Sequence, residues 1–139
     1  TKSRPRRSND NALVESKNGS VVRKHMGYAH IPTRGAGAVN VFLREHLWNY
    51  LNYHRPCFFP VTVIDDKGRQ RKRYLYENMM TPYEKLRSLP EAEQYLGPGI
   101  TWKALDVLAS AKSDLEVAKR MSDSRDQLFR SLNRRSKAA

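Results

Sequence analysis

The sequence predicts a mainly α-helical protein with one β-hairpin, and three patterns support this fold class. Apolar side chains recur at spacings of three and four over residues 38–53, which is typical of a helix with one buried face. Residues 101–135 contain neither glycine nor proline, so no residue there is expected to break a helix. Between these regions, the β-branched run Val61–Ile64 precedes a glycine-containing turn and an alternating segment, which together predict a hairpin.

Length and composition allow one modest core and indicate an anionic partner. The chain has 139 residues, of which 39% are hydrophobic, and its mean hydropathy is −0.77. Its formal net charge of +12 attracts nucleic acid or an anionic membrane surface without regard to sequence. No run approaches the roughly 18 apolar residues of a membrane span. The single Cys57 cannot form an internal disulfide, which fits a reducing compartment.

The first predicted element is a helix from about Asn11 to Met26, which follows a basic extended arm at residues 1–8. Asn9 or Asp10 can cap its first turn, because a short polar side chain there accepts a hydrogen bond from a free backbone N–H. A loop is predicted over residues 27–37, where glycine and proline recur.

A second helix is predicted from about Ala38 to Tyr53. Its apolar stripe consists of Val39, Phe42, Leu43, Leu47, Tyr50 and Leu51. Pro56 follows its end and opens a turn that continues to Pro60. The hairpin strands are then predicted at Val61–Ile64 and Lys72–Tyr76. A lone hairpin is marginal in water, so it is expected to lean on the helices or on a partner.

The remaining elements are predicted to be helical. Thr81 followed by Pro82 is a helix-start signature, and that helix is expected to end near Pro90. A short helical stretch is predicted at 91–95 and a linker at 96–99. Beyond the linker, the pattern allows either one long helix or two.

Glu15 is the candidate for chemistry. It lies early on the first predicted helix, within the run NDNALVESKNG at residues 9–19. This run, followed by VVRKHMGY, YLNYHRPCFFP and TPYEKL, resembles the C-terminal part of a DDE transposase of the retroviral-integrase-like type found in bacterial insertion sequences. The blocks together cover most of residues 4–86.

The resemblance implies a fold, a cofactor and an activity. Such enzymes have a ribonuclease-H-like α/β core in which three carboxylates hold two divalent ions, Mg²⁺ or Mn²⁺, for cleavage and joining of DNA. Glu15 is implied as the third carboxylate, and Asn18 as a neighbour of the DNA end. The two preceding aspartates are expected upstream of Thr1. We therefore expect a C-terminal fragment that binds DNA, holds no metal by itself and is catalytically incomplete.

The resemblance also implies an organisation and partners. Residues 1–53 would be the last helices of a truncated catalytic core, residues 54–96 a turn with the basic hairpin and short helices, and residues 97–139 a linker with a long helix and basic tail. The implied partners are transposon ends, target DNA and further copies of the chain, with no membrane. The implied location is the bacterial cytoplasm, in association with the nucleoid.

Basic residues form three sets that are candidates for DNA contact. The members are Arg4, Arg6 and Arg7 before the first helix, Arg23 and Lys24 at its end, and Lys67, Arg69, Arg71, Lys72 and Arg73 around the hairpin. Phosphate contacts of this kind position DNA without reading its bases. The alternative is a solvated surface, because lysine and arginine on exposed strands also prevent aggregation.

Two further alternatives stay open at this point. The aromatic residues of the second helix and the following turn can form core, can dock a further domain, or can stack nucleic-acid bases. They are Trp48, Tyr50, Tyr53, Phe58 and Phe59. The chain can also be a non-enzymatic basic helical nucleic-acid-binding protein, in which Glu15 is an ordinary acid near a helix start.

Overall fold

The architecture is mainly helical with two small antiparallel sheets, which confirms the predicted mainly-α class. A computed structural model describes residues 15–16, 18–28 and 30–136 of the chain. The chain divides into two compact units, Thr1–Ala36 and Gly37–Ala139. The ribonuclease-H-like core remains a prediction.

The described part of the first unit is a helical segment followed by a turn. Residues 15–16 are helical, Asn18–Arg23 form a π-helix and Lys24–Met26 form α1. Gly27 ends the segment where the sequence predicted, with a φ of 69° and an N–H that donates to a backbone carbonyl one turn earlier at 2.9 Å. A 3₁₀ turn covers Thr33–Gly35. The predicted N-caps lie outside the described residues.

The second predicted helix begins at Ala36 and ends at His54, and we call residues 36–54 the central helix. It starts with α2 (Ala36–Phe42) and continues through two π-helical segments, Leu43–Leu47 and Tyr50–His54. The helix therefore starts two residues earlier than predicted and ends one residue later. The π-helical segments were not predicted, because apolar spacing alone does not distinguish a π-helix from an α-helix.

In the part of the chain that the structure describes, four short strands form two separate sheets. β1 (Cys57–Phe58) pairs with β4 (Met79–Met80), and β2 (Val61–Ile64) pairs with β3 (Gln70–Arg73). The β2–β3 hairpin was predicted, whereas the β1–β4 sheet was not. The predicted second strand, Lys72–Tyr76, was wrong by about two residues, since β3 begins at position 70 and ends at position 73.

The turn explains the shift in the second strand. The N–H of Gly68 donates to the Asp65 carbonyl at 2.8 Å, and the N–H of Asp65 donates to the Arg69 carbonyl at 2.9 Å. Gly68 has a φ of 72°, a conformation that glycine adopts without steric cost. This is a three-residue hairpin loop with a glycine bulge, and its geometry starts the second strand directly after residue 69.

Three α-helices complete the second unit. They are α3 (Pro82–Arg87), α4 (Trp102–Ser110) and α5 (Asp114–Ser136), and a 3₁₀ helix at Ala92–Tyr95 follows α3. The predicted helix start at Thr81–Pro82 is confirmed. The sequence pattern beyond the linker allowed one long helix or two, and the structure has two, α4 and α5.

Side-chain caps fix where these helices begin. The Thr81 N–H donates to Oε2 of Glu84 at 2.7 Å, and the Glu84 N–H donates to Oγ1 of Thr81 at 3.2 Å. Ser113 and Glu116 form the same reciprocal arrangement before α5. Hydrogen bonds from Ser113 lower the pKa of the Glu116 carboxyl. This second capping box separates α4 from α5 without a glycine or proline.

The core of the second unit lies between the central helix and α5. Phe42 and Leu47, both from the predicted stripe, are 2% and 1% exposed. Val117, Met121 and Leu128 of α5 are also buried, and α5 contacts both π-helical segments. Phe42 and Leu47 are five positions apart, which is the hydrogen-bonding step of a π-helix.

A polar and aromatic cluster joins α3 to α4. The Tyr83 hydroxyl donates to Oδ1 of Asp106 at 2.6 Å, and the Arg87 guanidinium contacts the same carboxylate. The Tyr53 ring of the central helix lies 5.3 Å from the Tyr83 ring, and the Trp102 ring lies 6.3 Å from it. Burial is the largest cause that raises the pKa of the Tyr83 hydroxyl.

Among the described residues, no helix combines the length and apolar character needed to cross a membrane.

Candidate nucleic-acid interface

The β2–β3 hairpin is exposed on both faces. Opposite residues of paired strands lie on the same face, so the register assigns each side chain to a face. One face carries Val61, Val63, Arg71 and Arg73, and the other carries Thr62, Ile64, Gln70 and Lys72. All of these residues except Val61 are exposed. Of the two expected supports, the described helices leave both faces of the hairpin exposed, and packing on a partner stays a prediction.

One carboxylate organises the tip of the hairpin. Oδ1 of Asp65 accepts hydrogen bonds from the backbone N–H groups of Lys67 at 3.0 Å and Arg69 at 2.9 Å. Oδ2 of the same carboxylate accepts from the Nε atoms of Arg69 at 3.2 Å and Arg71 at 3.0 Å. The backbone hydrogen bond from Arg69 is the largest cause that lowers the pKa of the Asp65 carboxyl. Asp65 thus holds the turn and two guanidinium groups together.

This arrangement predicts a pH dependence of the hairpin. Because the folded-state pKa of Asp65 is depressed, its contribution is fully present above the ordinary pKa of 3.8 and is lost as the pH falls through the lowered value. In the Asp65→Asn variant, we expect the backbone amide protons of Lys67 and Arg69 to exchange faster than in the native chain. In the native chain their protection should be lost as the pH falls through the pKa of Asp65, and the variant should lack this acid transition. Amide hydrogen exchange measured by NMR between neutral and acidic pH would test this.

Asp66→Asn is the matched control, because Asp66 lies in the same turn and is exposed. We expect it to leave the acid transition of the two amide protons in place. If Asp65→Asn and the native chain show the same exchange rates at every pH, then Asp65 does not organise the turn.

The other basic side chains of the hairpin are available to a ligand. Lys67, Lys72 and Arg73 are exposed. Among the described residues, none of these three side chains forms an ion pair or a side-chain hydrogen bond. The five predicted hairpin residues are therefore brought together on one projecting element, with two neutralised in part by Asp65 and three unpaired.

The predicted site residues of the first unit have a different setting. Glu15 is helical and exposed, and Asn18, three positions later, is half-buried. The guanidinium of Arg23 lies 5.0 Å from the centroid of the Tyr28 ring, and Lys24 is exposed. The predicted contacts Arg4, Arg6 and Arg7 lie outside the described residues.

The described residues do not by themselves make up the metal site that the resemblance implies. The carboxylate of Glu15 is the kind of oxygen ligand that Mg²⁺ and Mn²⁺ prefer. Within residues 15–16, 18–28 and 30–136, however, no group of three or more histidine, cysteine, aspartate or glutamate residues is placed to hold a metal ion.

An exposed aromatic cluster lies at the base of the hairpin. The Phe58 ring of β1 lies 6.5 Å from the Tyr74 ring and 5.9 Å from the Tyr76 ring, both in edge-to-face orientation. The three residues are 44%, 61% and 79% exposed. We call Phe58, Tyr74 and Tyr76 the aromatic cluster.

Sequence reasoning found only part of this cluster. Phe58 was a candidate for core, docking or base stacking, whereas Tyr74 and Tyr76 were assigned to a strand. The sequence signal for Tyr74 and Tyr76 was their spacing of two residues directly after the basic strand β3. Two other aromatic candidates lie in different environments. The Tyr53 ring packs on the Tyr83 ring, whereas Trp48 is 57% exposed.

A buried histidine was also missed. His54, at the end of the central helix, is 3% exposed, and its Nδ1 lies 2.9 Å from Oδ1 of Asp114 at the start of α5. Its Nε2 is buried without a hydrogen-bond partner among the described residues. The pair links two helices of the core, so we assign His54 a structural position.

Comparison with known proteins gives no match: no family model matches the chain, and neither a curated protein nor a solved structure does.

Proposed function

We propose that this chain binds DNA through the basic hairpin, as the C-terminal portion of a DDE-type transposase or integrase. The observation that supports DNA binding most directly is that Lys67, Lys72 and Arg73 lie on an exposed hairpin and form no ion pair among the described residues. The net charge of +12 adds a long-range attraction for a polyanion.

The proposed contacts are to the phosphate backbone. Lysine and arginine side chains on an exposed hairpin can reach phosphate oxygens, and such contacts fix position without reading base sequence. Asp65 supports this role because it orients Arg69 and Arg71 while their side chains remain 61% and 63% exposed. Arg71 and Arg73 therefore present donors from one face of the hairpin, and Lys72 presents a further donor from the opposite face.

A salt titration tests the binding. We expect the full chain to bind duplexes of unrelated sequence with similar affinity, because the contacts are to phosphates. The logarithm of the association constant should fall linearly with the logarithm of the salt concentration, by about 0.9 per phosphate contacted. Fluorescence anisotropy with two labelled duplexes of equal length would measure both properties. An affinity unchanged by salt would contradict phosphate binding.

The enzymatic part of the proposal depends on the motif around Glu15. In the intact protein, we propose metal-dependent cleavage and joining of DNA, with Mg²⁺ or Mn²⁺ as the cofactor and Glu15 as one catalytic carboxylate. Glu15 is exposed on a helix, so its carboxylate is accessible to share a metal ion with ligands from other parts of the protein. Alone, the chain is proposed to be catalytically incomplete.

The proposed partners are transposon ends, target DNA and further copies of the chain. Exposed apolar residues support self-association: Val107, Leu108 and Leu115 are 60%, 51% and 80% exposed. The proposed location is the bacterial cytoplasm, at the nucleoid, where such DNA lies.

The alternative is a non-enzymatic basic helical protein that binds nucleic acid. The exposed hairpin and the net charge support both functions equally. They differ at Glu15, which is essential for strand transfer in the transposase and dispensable in the alternative.

A further inference from the structure

The aromatic cluster has the features of a surface for flat, apolar ligands that carry negative charge nearby. Tyr76 and Tyr74 are 79% and 61% exposed, whereas a tyrosine that contributes to a core is mostly buried. The rings meet edge to face, with interplanar angles of 89° for Phe58 with Tyr74 and 73° for Phe58 with Tyr76. Much of the ring surface therefore remains open for a further aromatic group.

The charge around the cluster indicates which aromatic group this is. Arg73 directly precedes Tyr74 in the chain, and Lys72 precedes Arg73. Both cations are exposed and unpaired among the described residues. These two side chains lie on opposite faces of the hairpin, so a ligand that offers phosphate to one of them and a planar ring to the neighbouring tyrosines is a nucleotide whose base is not paired. Inside a duplex each base face is covered by its neighbours in the stack, whereas an unpaired base offers both of its faces to the rings.

We propose that Phe58, Tyr74 and Tyr76 stack the unpaired bases of a DNA end or junction while the hairpin holds the adjoining backbone. The inference rests on the proposed DNA binding, and it assigns single-stranded DNA beside a duplex as the preferred substrate. Stacking on aromatic rings accepts any base, because every base has a π-face. The preference is therefore for strand structure and not for sequence.

The test compares three labelled probes with the full chain: a blunt duplex, the same duplex with a short oligothymidine tail, and the tail alone. We expect the tailed duplex to bind about tenfold more tightly than the blunt one, as one stacked base produces. The triple variant Phe58→Leu, Tyr74→Leu, Tyr76→Leu should lose this advantage and still bind the blunt duplex with native affinity.

Two further variants control for effects on folding. Tyr76→Trp keeps a stacking surface and should keep the advantage of the tailed duplex. Tyr95→Leu removes a tyrosine that is 61% exposed elsewhere in the unit, and it should change the affinity for none of the three probes. A photoreactive 5-iodouracil in the tail should crosslink to one of the three rings, and peptide mass spectrometry would locate it.

The outcomes separate the two proposals. If the blunt duplex binds and the tail adds nothing, the cluster does not stack bases, although the hairpin still binds DNA. If the triple variant loses affinity equally for blunt and tailed probes, the rings support the hairpin and the stacking proposal is overturned. If no probe binds at low salt, both proposals fail. If the cluster instead binds a peptide or a second copy of the chain, the blunt duplex would bind and the tail would add nothing.

Discussion

Replacing Lys67, Lys72 and Arg73 by glutamine is expected to weaken duplex binding on the order of 100-fold at about 0.1 M salt, because each lost phosphate contact removes about 0.9 from the salt slope. The three side chains are exposed, and their replacement breaks no ion pair or side-chain hydrogen bond among the described residues. Binding isotherms at several salt concentrations would give both the affinity and the slope.

The matched control removes the same charge elsewhere. Lys103, Lys119 and Arg130 are exposed on α4 and α5. Their replacement by glutamine lowers the net charge equally and leaves the hairpin intact. If this control weakens binding as much as the hairpin variant does, then the total charge attracts DNA and the hairpin has no special role.

Glu15→Gln in the intact protein is expected to reduce strand transfer by at least about a thousandfold, since loss of a catalytic carboxylate removes several kcal/mol of transition-state stabilisation. Glutamine keeps the shape of the side chain and removes its charge. Duplex binding should remain within about twofold, because Glu15 lies outside the hairpin and carries no positive charge. A strand-transfer assay on labelled DNA ends, run beside an anisotropy titration, would separate chemistry from binding.

A second acid provides the comparison. Glu77→Gln removes an exposed carboxylate that lies outside the motif. It should leave strand transfer near the native level. Full activity in Glu15→Gln would overturn the catalytic assignment and favour the non-enzymatic alternative.

Local sequence rules predicted the elements that depend on local physics. Thr81 and Pro82 start α3 because a capping side chain and a preset φ act within one turn. Gly68 marks the hairpin turn for the same reason. The stripe of the central helix identified Phe42 and Leu47 as core because their burial follows from periodicity.

The features that sequence reasoning missed depend on contacts between distant residues. The β1–β4 sheet joins residues about twenty positions apart, and two-residue strands carry no periodic signal. The aromatic cluster forms only because Phe58 meets Tyr74 and Tyr76 across that separation. Among the candidate site residues, the charge of the hairpin was readable from the sequence, whereas the shared carboxylate of Asp65 was not.

The β1–β4 sheet closes the segment that carries the hairpin, so the length of that segment is independent of the helices. It brings residues 57–58 and 79–80 together, and the N–H of Phe59 donates to the Asn78 carbonyl at 3.2 Å, so the chain leaves and re-enters the helical unit at one place. Lengthening such a closed segment costs little, about 0.6 kcal/mol for each doubling. Insertions and deletions can therefore accumulate between these strands, so that related chains could differ in how far they reach along a ligand while the same helices persist.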